Sequence, residues 1–145
     1  MTDVTLYIET SIHGPRKMDG TWGYVLEFIK ADGTPETRCG FGKIESTTEN
    51  VLALTAICAG MTRLIKPCSI RIKTCCDHVL NSVNNFWPVQ WEKNNWSNNR
   101  GKEVKNADLW QQYVNLARIH CVSVSKDDNS YKSWIGREME ERYGD

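Results

Sequence analysis

The chain has 145 residues, 40% of them hydrophobic and 25% charged, which is enough for one domain with a real core and too little for two comfortable ones. Eighteen basic side chains balance eighteen acidic ones, so the global basic field of a non-specific nucleic-acid binder is absent and any such contact must come from a local patch. No apolar run reaches membrane-spanning length, and Met1-Thr2-Asp3-Val4 is not a signal peptide, so the expected setting is cytoplasmic, with no membrane partner. Cys39, Cys58, Cys68, Cys75, Cys76 and Cys121 show no paired C-x-x-C spacing and are expected to be reduced thiols.

Val4, Leu6 and Ile8 alternate with polar neighbours, the period of a first strand. Thr21 to Ile29 reads as a second strand, and the Ala31-Asp32-Gly33-Thr34 turn predicts a hairpin into Glu36 to Lys43. A helix is expected after Ser46 or Thr47 as cap. Its apolar stripe is Val51, Leu54, Cys58, Met61 and Ile65, with Pro67 ending the segment. Ser69 to Thr74 forms a fourth strand with Ile70 and Ile72 inward, and a short helix covers Asp77 to Asn84. Residues 86–105 then place Trp87, Trp91 and Trp96 among asparagines and lysines. Asn106 is expected to cap a helix carrying Leu109, Trp110, Tyr113 and Leu116. Val122 and Val124 mark a fifth strand, and Ser130 to Tyr143 a closing helix. This order predicts a single α/β domain over 1–145, with a mixed five-stranded sheet, helices on both faces and a protrusion at 86–105.

Several local stretches in this order carry a resemblance. Leu6-Tyr7-Ile8-Glu9-Thr10-Ser11 is similar to a first strand ending in Tyr-Thr-Asp-Gly-Ser. Gly20-Thr21-Trp22-Gly23-Tyr24 resembles a glycine-rich entry to the second strand. Thr47 to Leu54 resembles a Thr-Thr-Asn-Asn-x-x-Glu-Leu helix start, and Thr74-Cys75-Cys76 a strand end reading Thr-Asp-Ser. The most specific match joins Trp87, Trp91, Trp96, Val104, Lys105, Asn106, Asp108, Leu109 and Trp110. Together, over about Val4 to Val124, the chain resembles the ribonuclease H family, in its cellular, hybrid-cleaving branch with a basic protrusion.

The resemblance implies hydrolysis of the RNA strand of an RNA–DNA hybrid by two magnesium ions about 4 Å apart, held by a cluster of carboxylates. This chain departs from that ligand set. Glu9 takes the first aspartate position, but Ala53 stands at the helix glutamate and Cys75 at the strand-end aspartate. A methyl group offers no ligand, and a thiol is a soft donor poorly matched to magnesium. The last acidic position falls on the closing helix, at Trp134 or Glu138. Asp128 falls near the family's mobile-loop histidine. The leading expectation is therefore a catalytically degenerate member, with Glu9 as the retained carboxylate and no resident metal cofactor.

Two rival readings concern metals. Glu49, one turn before Ala53, could join Glu9, Asp77 and the Asp127–Asp128 loop in a rearranged site using Mg2+ or Mn2+, which would make the chain an active or weakly active hybrid endoribonuclease. The favoured alternative has Glu49 and Asp77 decorating helix N-termini. Cys75, Cys76 and His78 invite a zinc reading, against which stands Cys75 plugging the cleft and Cys76 buried in the sheet. His13 and His120 are expected to face solvent.

The resemblance also implies nucleic-acid contacts at Thr48 and Asn50, beside the hybrid backbone. Within the protrusion, Trp91 and Trp96 interleave with Lys93, Lys102 and Lys105, stacking faces beside phosphate-binding charge. Against this, the tryptophans also serve to pack the protrusion's own helices. The expected partner is RNA–DNA hybrid or another duplex nucleic acid. A pure protein-interaction module with a protein partner is the remaining alternative.

Overall fold

The computed structural model of the protein describes residues 1–126 and 128–144. Ten elements follow in chain order: β1 (Thr2–Thr10), β2 (Met18–Ile29), β3 (Pro35–Thr47), α1 (Glu49–Met61), β4 (Cys68–Lys73), α2 (Asp77–Asn84), α3 (Trp87–Lys93), α4 (Ala107–Ala117), β5 (Cys121–Ser125) and α5 (Lys132–Tyr143). The strands form one sheet in the order β3-β2-β1-β4-β5. β1 to β3 are antiparallel neighbours, whereas β4 runs parallel to β1 and β5 parallel to β4. The expected mixed five-stranded sheet is thus present. No helix is long and apolar enough to cross a membrane, among the described residues.

The hairpin between β2 and β3 turns where the sequence asks for it. Gly33 takes φ 87°, and the Asp32 carboxylate accepts the Thr34 N–H at 2.9 Å. Side-chain alternation along β1 then sorts the two faces. Val4, Leu6 and Ile8 join the main core with α1, α2 and α4, while Tyr7 packs with Val25, Ile135 and Met139 under α5.

α1 is buried on nearly every face, with Leu52, Ala53, Leu54, Ala56, Ile57 and Cys58 all inside. Gly60 lets it approach the sheet, because a Cβ there would lie 2.5 Å from the Leu6 side chain. The helix starts later than expected. Ser46 and Thr47 still belong to β3, with Ser46 at φ 49°, and Thr48 is the cap, its hydroxyl accepting the Val51 N–H at 3.4 Å. It also ends earlier. Thr62 closes it, so Ile65 falls off the apolar stripe and stands 95% exposed. Asn106 does precede α4 but sits in the left-handed region with no side-chain cap bond. The closing helix begins at Lys132 rather than Ser130.

Trp110 is the largest fully buried side chain and the hub of an aromatic cluster. Its ring meets Trp91 at 5.5 Å and Tyr113 at 5.6 Å, both edge-on. Through Trp91 this cluster ties the protrusion helix α3 to the core.

Candidate active-site cleft and nucleic-acid interface

Parallel neighbours β1, β4 and β5 end on the same edge of the sheet, and a crevice opens outside their carboxyl ends. Its cavity of 130 Å³ is lined by Ile8 and Glu9 from β1, by Lys73, Thr74 and Cys75 at the end of β4, and by Lys126, Asp128, Asn129 and Lys132 beyond β5. The cleft of the resemblance is therefore present, and Glu9 and Cys75 both line it.

Glu9 is 8% exposed, and its Oε2 accepts a hydrogen bond from the Asn129 side-chain amide at 2.9 Å. Burial pushes its carboxyl above the ordinary value, opposed by the Asn129 bond and by the charges of Lys132 and His13. A raised carboxyl favours the protonated form in the folded state, so folding stability is full below the ordinary pKa and declines as pH rises through the shifted one. Glu9→Gln should therefore raise the melting temperature at pH 7, with the gain vanishing below about pH 4.5, in paired thermal melts.

The remaining expected positions lie elsewhere. Ala53 is fully buried in the main core and does not line the cavity. Neither Trp134 nor Glu138 lines it either. The Trp134 ring leans on Phe41 at 6.0 Å and Glu138 pairs with Arg142 at 3.4 Å. Instead α5 sends Lys132 from its first turn, a residue missed because a lysine carries no signal when carboxylates are sought. Lys73 and Lys126 were missed for the same reason.

Of the rearranged carboxylate set, Glu49 and Asp77 do not line the cavity beside Glu9. Glu49 accepts the Gly14 N–H at 3.1 Å and lies 3.7 Å from the His13 Nδ1. Asp77 pairs with the Lys126 ammonium at 2.6 Å. Asp128 does line the cavity, and Asp127 lies outside the described residues. Among the described residues no three His, Cys, Asp or Glu side chains converge as a metal site. Magnesium asks for several hard oxygen donors, and the described lining residues offer two carboxylates, Glu9 and Asp128, among three lysines and a thiol, a donor set that by itself does not fit a metal pair.

The cysteine pair is also placed differently from the expectation. Cys75 is exposed on the cleft wall rather than plugging it, and Cys76 sits at the start of α2 rather than in the sheet. The Cys76 thiol donates to the Asn50 Oδ1 at 3.2 Å, and burial pushes it up to about 11. His78 turns instead towards Trp110, 5.9 Å between ring centres, so the zinc trio is not formed. His13 is exposed but has Glu49 as partner, whereas the half-buried His120 accepts the Cys68 N–H on Nδ1 at 3.0 Å.

The protrusion is a built unit. After α3, Trp96 adopts φ 64° and donates its N–H to the Trp91 carbonyl at 2.7 Å. Ser97 and Glu103 bridge the loop, whose tip is held by the Asn98 side chain accepting the Arg100 and Lys102 N–H groups. Lys93, Lys102 and Lys105 are exposed along it. Trp91 and Trp96, expected as stacking faces, are half-buried and packed against the main core. The aromatic surface that remains open is Phe86, 71% exposed, and Trp87, 39% exposed. An open groove of 610 Å³ separates Val51 near the start of α1 from residues 103–109, with Lys105 on its far wall. Thr48 and Asn50 flank that start, the first occupied as helix cap and the second by Cys76.

A profile of the RNase H family matches residues 1–126. A protein of Caldicellulosiruptor saccharolyticus named Ribonuclease H is 38% identical over 129 residues, covering 87% of this chain and 83% of its own. One of the same name from Campylobacter curvus is 36% identical, covering 86% and 79%. Among solved structures, "LC9-RNase H1, a type 1 RNase H with the type 2 active-site motif" superposes with a TM-score of 0.75 at 17% identity, over 94% of this chain and 70% of that one. The foamy viral protease-reverse transcriptase in complex with RNA/DNA hybrid gives 0.63 at 18% identity, over 97% and 18%. The fold and the cleft define a ribonuclease H-like α/β domain. The chain belongs to the RNase H family.

Proposed function

We propose that this domain binds RNA–DNA hybrid through its protrusion and the start of α1, without metal-dependent cleavage. The observation that supports this reading is that Ala53, at the expected ligand position of α1, is sealed in the core away from the cleft at the ends of β1 and β4, and that Cys75 offers that cleft a thiol in place of a carboxylate. Each missing carboxylate removes both affinity for a divalent ion and its placement, and such sites tolerate little looseness. Lys93, Lys102 and Lys105 supply local positive charge that the neutral chain lacks overall. The reduced cysteines suit a cytoplasmic setting.

A second reading, cleavage by a rearranged site, draws support from the 38% identity to a protein named Ribonuclease H. One experiment separates the two. Incubated with end-labelled hybrid in Mg2+ and then Mn2+, the protein is expected to shift the hybrid but leave it intact. Cleavage abolished by Glu9→Ala would establish the second reading instead. Lys93→Ala with Lys105→Ala is expected to weaken binding and to lower the slope of log affinity against log salt by about 2. Absence of hybrid binding at low salt would point to a protein-interaction module.

A further inference from the structure

We propose that β5 is a dimerisation edge, at which two copies of this chain pair their β5 strands antiparallel about a twofold axis at Ser123 and join their sheets into one. The inference rests neither on the cleft nor on nucleic-acid binding.

β5 closes the sheet on one side, with β4 as its strand neighbour. Main-chain polar groups point to alternate sides along a strand. The Ser125 carbonyl accepts the Thr74 N–H at 3.1 Å, so Cys121, Ser123 and Ser125 turn their peptide groups inward, towards β4. The N–H and C=O groups of Val122 and Val124 therefore point outward, where no strand among the described residues pairs with them. An open row of this kind is a template for a further strand. The opposite edge is blunted by charge, because β3 carries Glu36, Arg38, Lys43 and Glu45, all exposed. The β5 run Cys-Val-Ser-Val-Ser has neither charge nor proline.

The strand is also its own complement. An antiparallel register centred on Ser123 sets every residue of β5 against the second copy. Val122 then faces the second copy's Val124, and Val124 its Val122, so outward groups meet outward groups as hydrogen-bonded pairs. Ser123 faces its own copy, and Cys121 faces Ser125, as the closer non-hydrogen-bonded pairs. A twofold interface needs one self-complementary patch, and this register supplies it.

The surroundings permit the approach. α5 packs over β1, β2 and β3, and Cys121 and Ser123 are exposed at the far side of the sheet. On the helical face an apolar groove of 280 Å³ reaches β5 at His120 and Val122, with Phe86, Val89 and Ala117 along it. Phe86 and Val89 are both exposed there. A second copy seated on β5 stands over this groove, and its apolar burial adds to main-chain pairing, whose net yield is small. With a formal net charge of zero, two copies approach without a repelling field.

Sedimentation velocity over a micromolar-to-millimolar series, in reducing buffer without nucleic acid, is expected to show the wild type passing from monomer to dimer. Ser123 is exposed in the monomer, so a charge there leaves folding intact, which an unchanged melting temperature will confirm. S123K and S123E each set like charges face to face on the axis, and each is expected to dimerise at least about tenfold more weakly. Mixed in equal amounts, the two should recover a heterodimer. S123C in a C75S/C121S background should also close a disulfide across the axis under mild oxidation, since non-hydrogen-bonded partners lie within disulfide range. T37C on the charged β3 edge, in the same background, should crosslink far more slowly. A wild type that stays monomeric throughout overturns the proposal. A dimer that S123K leaves unchanged, a mixture that stays monomeric, or S123C crosslinking no faster than T37C overturns it as well, because the contact would then lie on another surface.

Discussion

Replacing Trp110 by alanine is expected to lower folding stability by about 3–5 kcal/mol, read from urea denaturation midpoints. The residue is fully buried, and its indole Nε1 has no hydrogen-bond partner among the described residues, so nearly all of the loss is packing. The cavity would open where Trp91, Tyr113 and His78 meet edge-on, a geometry that adds to simple area burial. Trp110→Phe should cost less, since the lost N–H had no acceptor. The functional consequence follows from Trp91. With its partner ring gone, α3 loses its aromatic contact with α4, and Lys93 loses part of what fixes its place relative to Lys105. Trp110→Ala should therefore weaken hybrid binding even at temperatures where the fold persists, and a stable variant with full affinity would show that α3 is held by other contacts.

Restoring the family's ligands is expected to fail, and to fail for two separate reasons. Ala53→Glu with Cys75→Asp returns carboxylates to two positions, but Ala53 is closed in by the main core. A longer, charged side chain there must overpack its neighbours and lose its water, costing about 3 kcal/mol or more. The Cys75→Asp half is tolerated, because that position is exposed on the cleft wall. Lys132 lines the cleft from the first turn of α5, and its charge repels a divalent ion. The expected result is a lower melting temperature, no metal-dependent rise in stability and intact hybrid after incubation with Mg2+. Cleavage by this double variant would mean that the carboxylate introduced on α1 reaches the cleft and that Lys132 is no barrier.

Much of this molecule can be read along the chain. The alternation of Val4, Leu6 and Ile8, the Asp32-Gly33 turn and the bounds of α2 all rest on interactions between near neighbours, so local pattern is sufficient for them. Most departures occur where a distant partner decides, and the early end of α1 is the local exception. Ile65 fits the α1 stripe by spacing, but Thr62 closes the helix first, its N–H bonding back to the Cys58 and Gly60 carbonyls. Ser46 has the chemistry of a cap, yet its N–H is engaged by the Asp19 carboxylate at 2.8 Å and β3 continues past it. Trp91 and Trp96 look like stacking faces beside lysines, and only the presence of Trp110 and the core around it turns them inward.

The candidate site divides in the same way. That Ala53 and Cys75 offer no oxygen ligands is a property of the residues themselves, legible before any coordinates, because coordination chemistry belongs to the side chain. So are the family likeness and the neutral overall charge. Which residue of α5 enters the cleft, and that lysines from β4, the segment after β5 and α5 meet beside Glu9, depended on the tertiary structure. Residues 73, 126 and 132 share no helical or strand spacing. They are brought together only because parallel strands end on one edge of the sheet and the closing helix begins there, and no periodicity in the chain encodes that meeting.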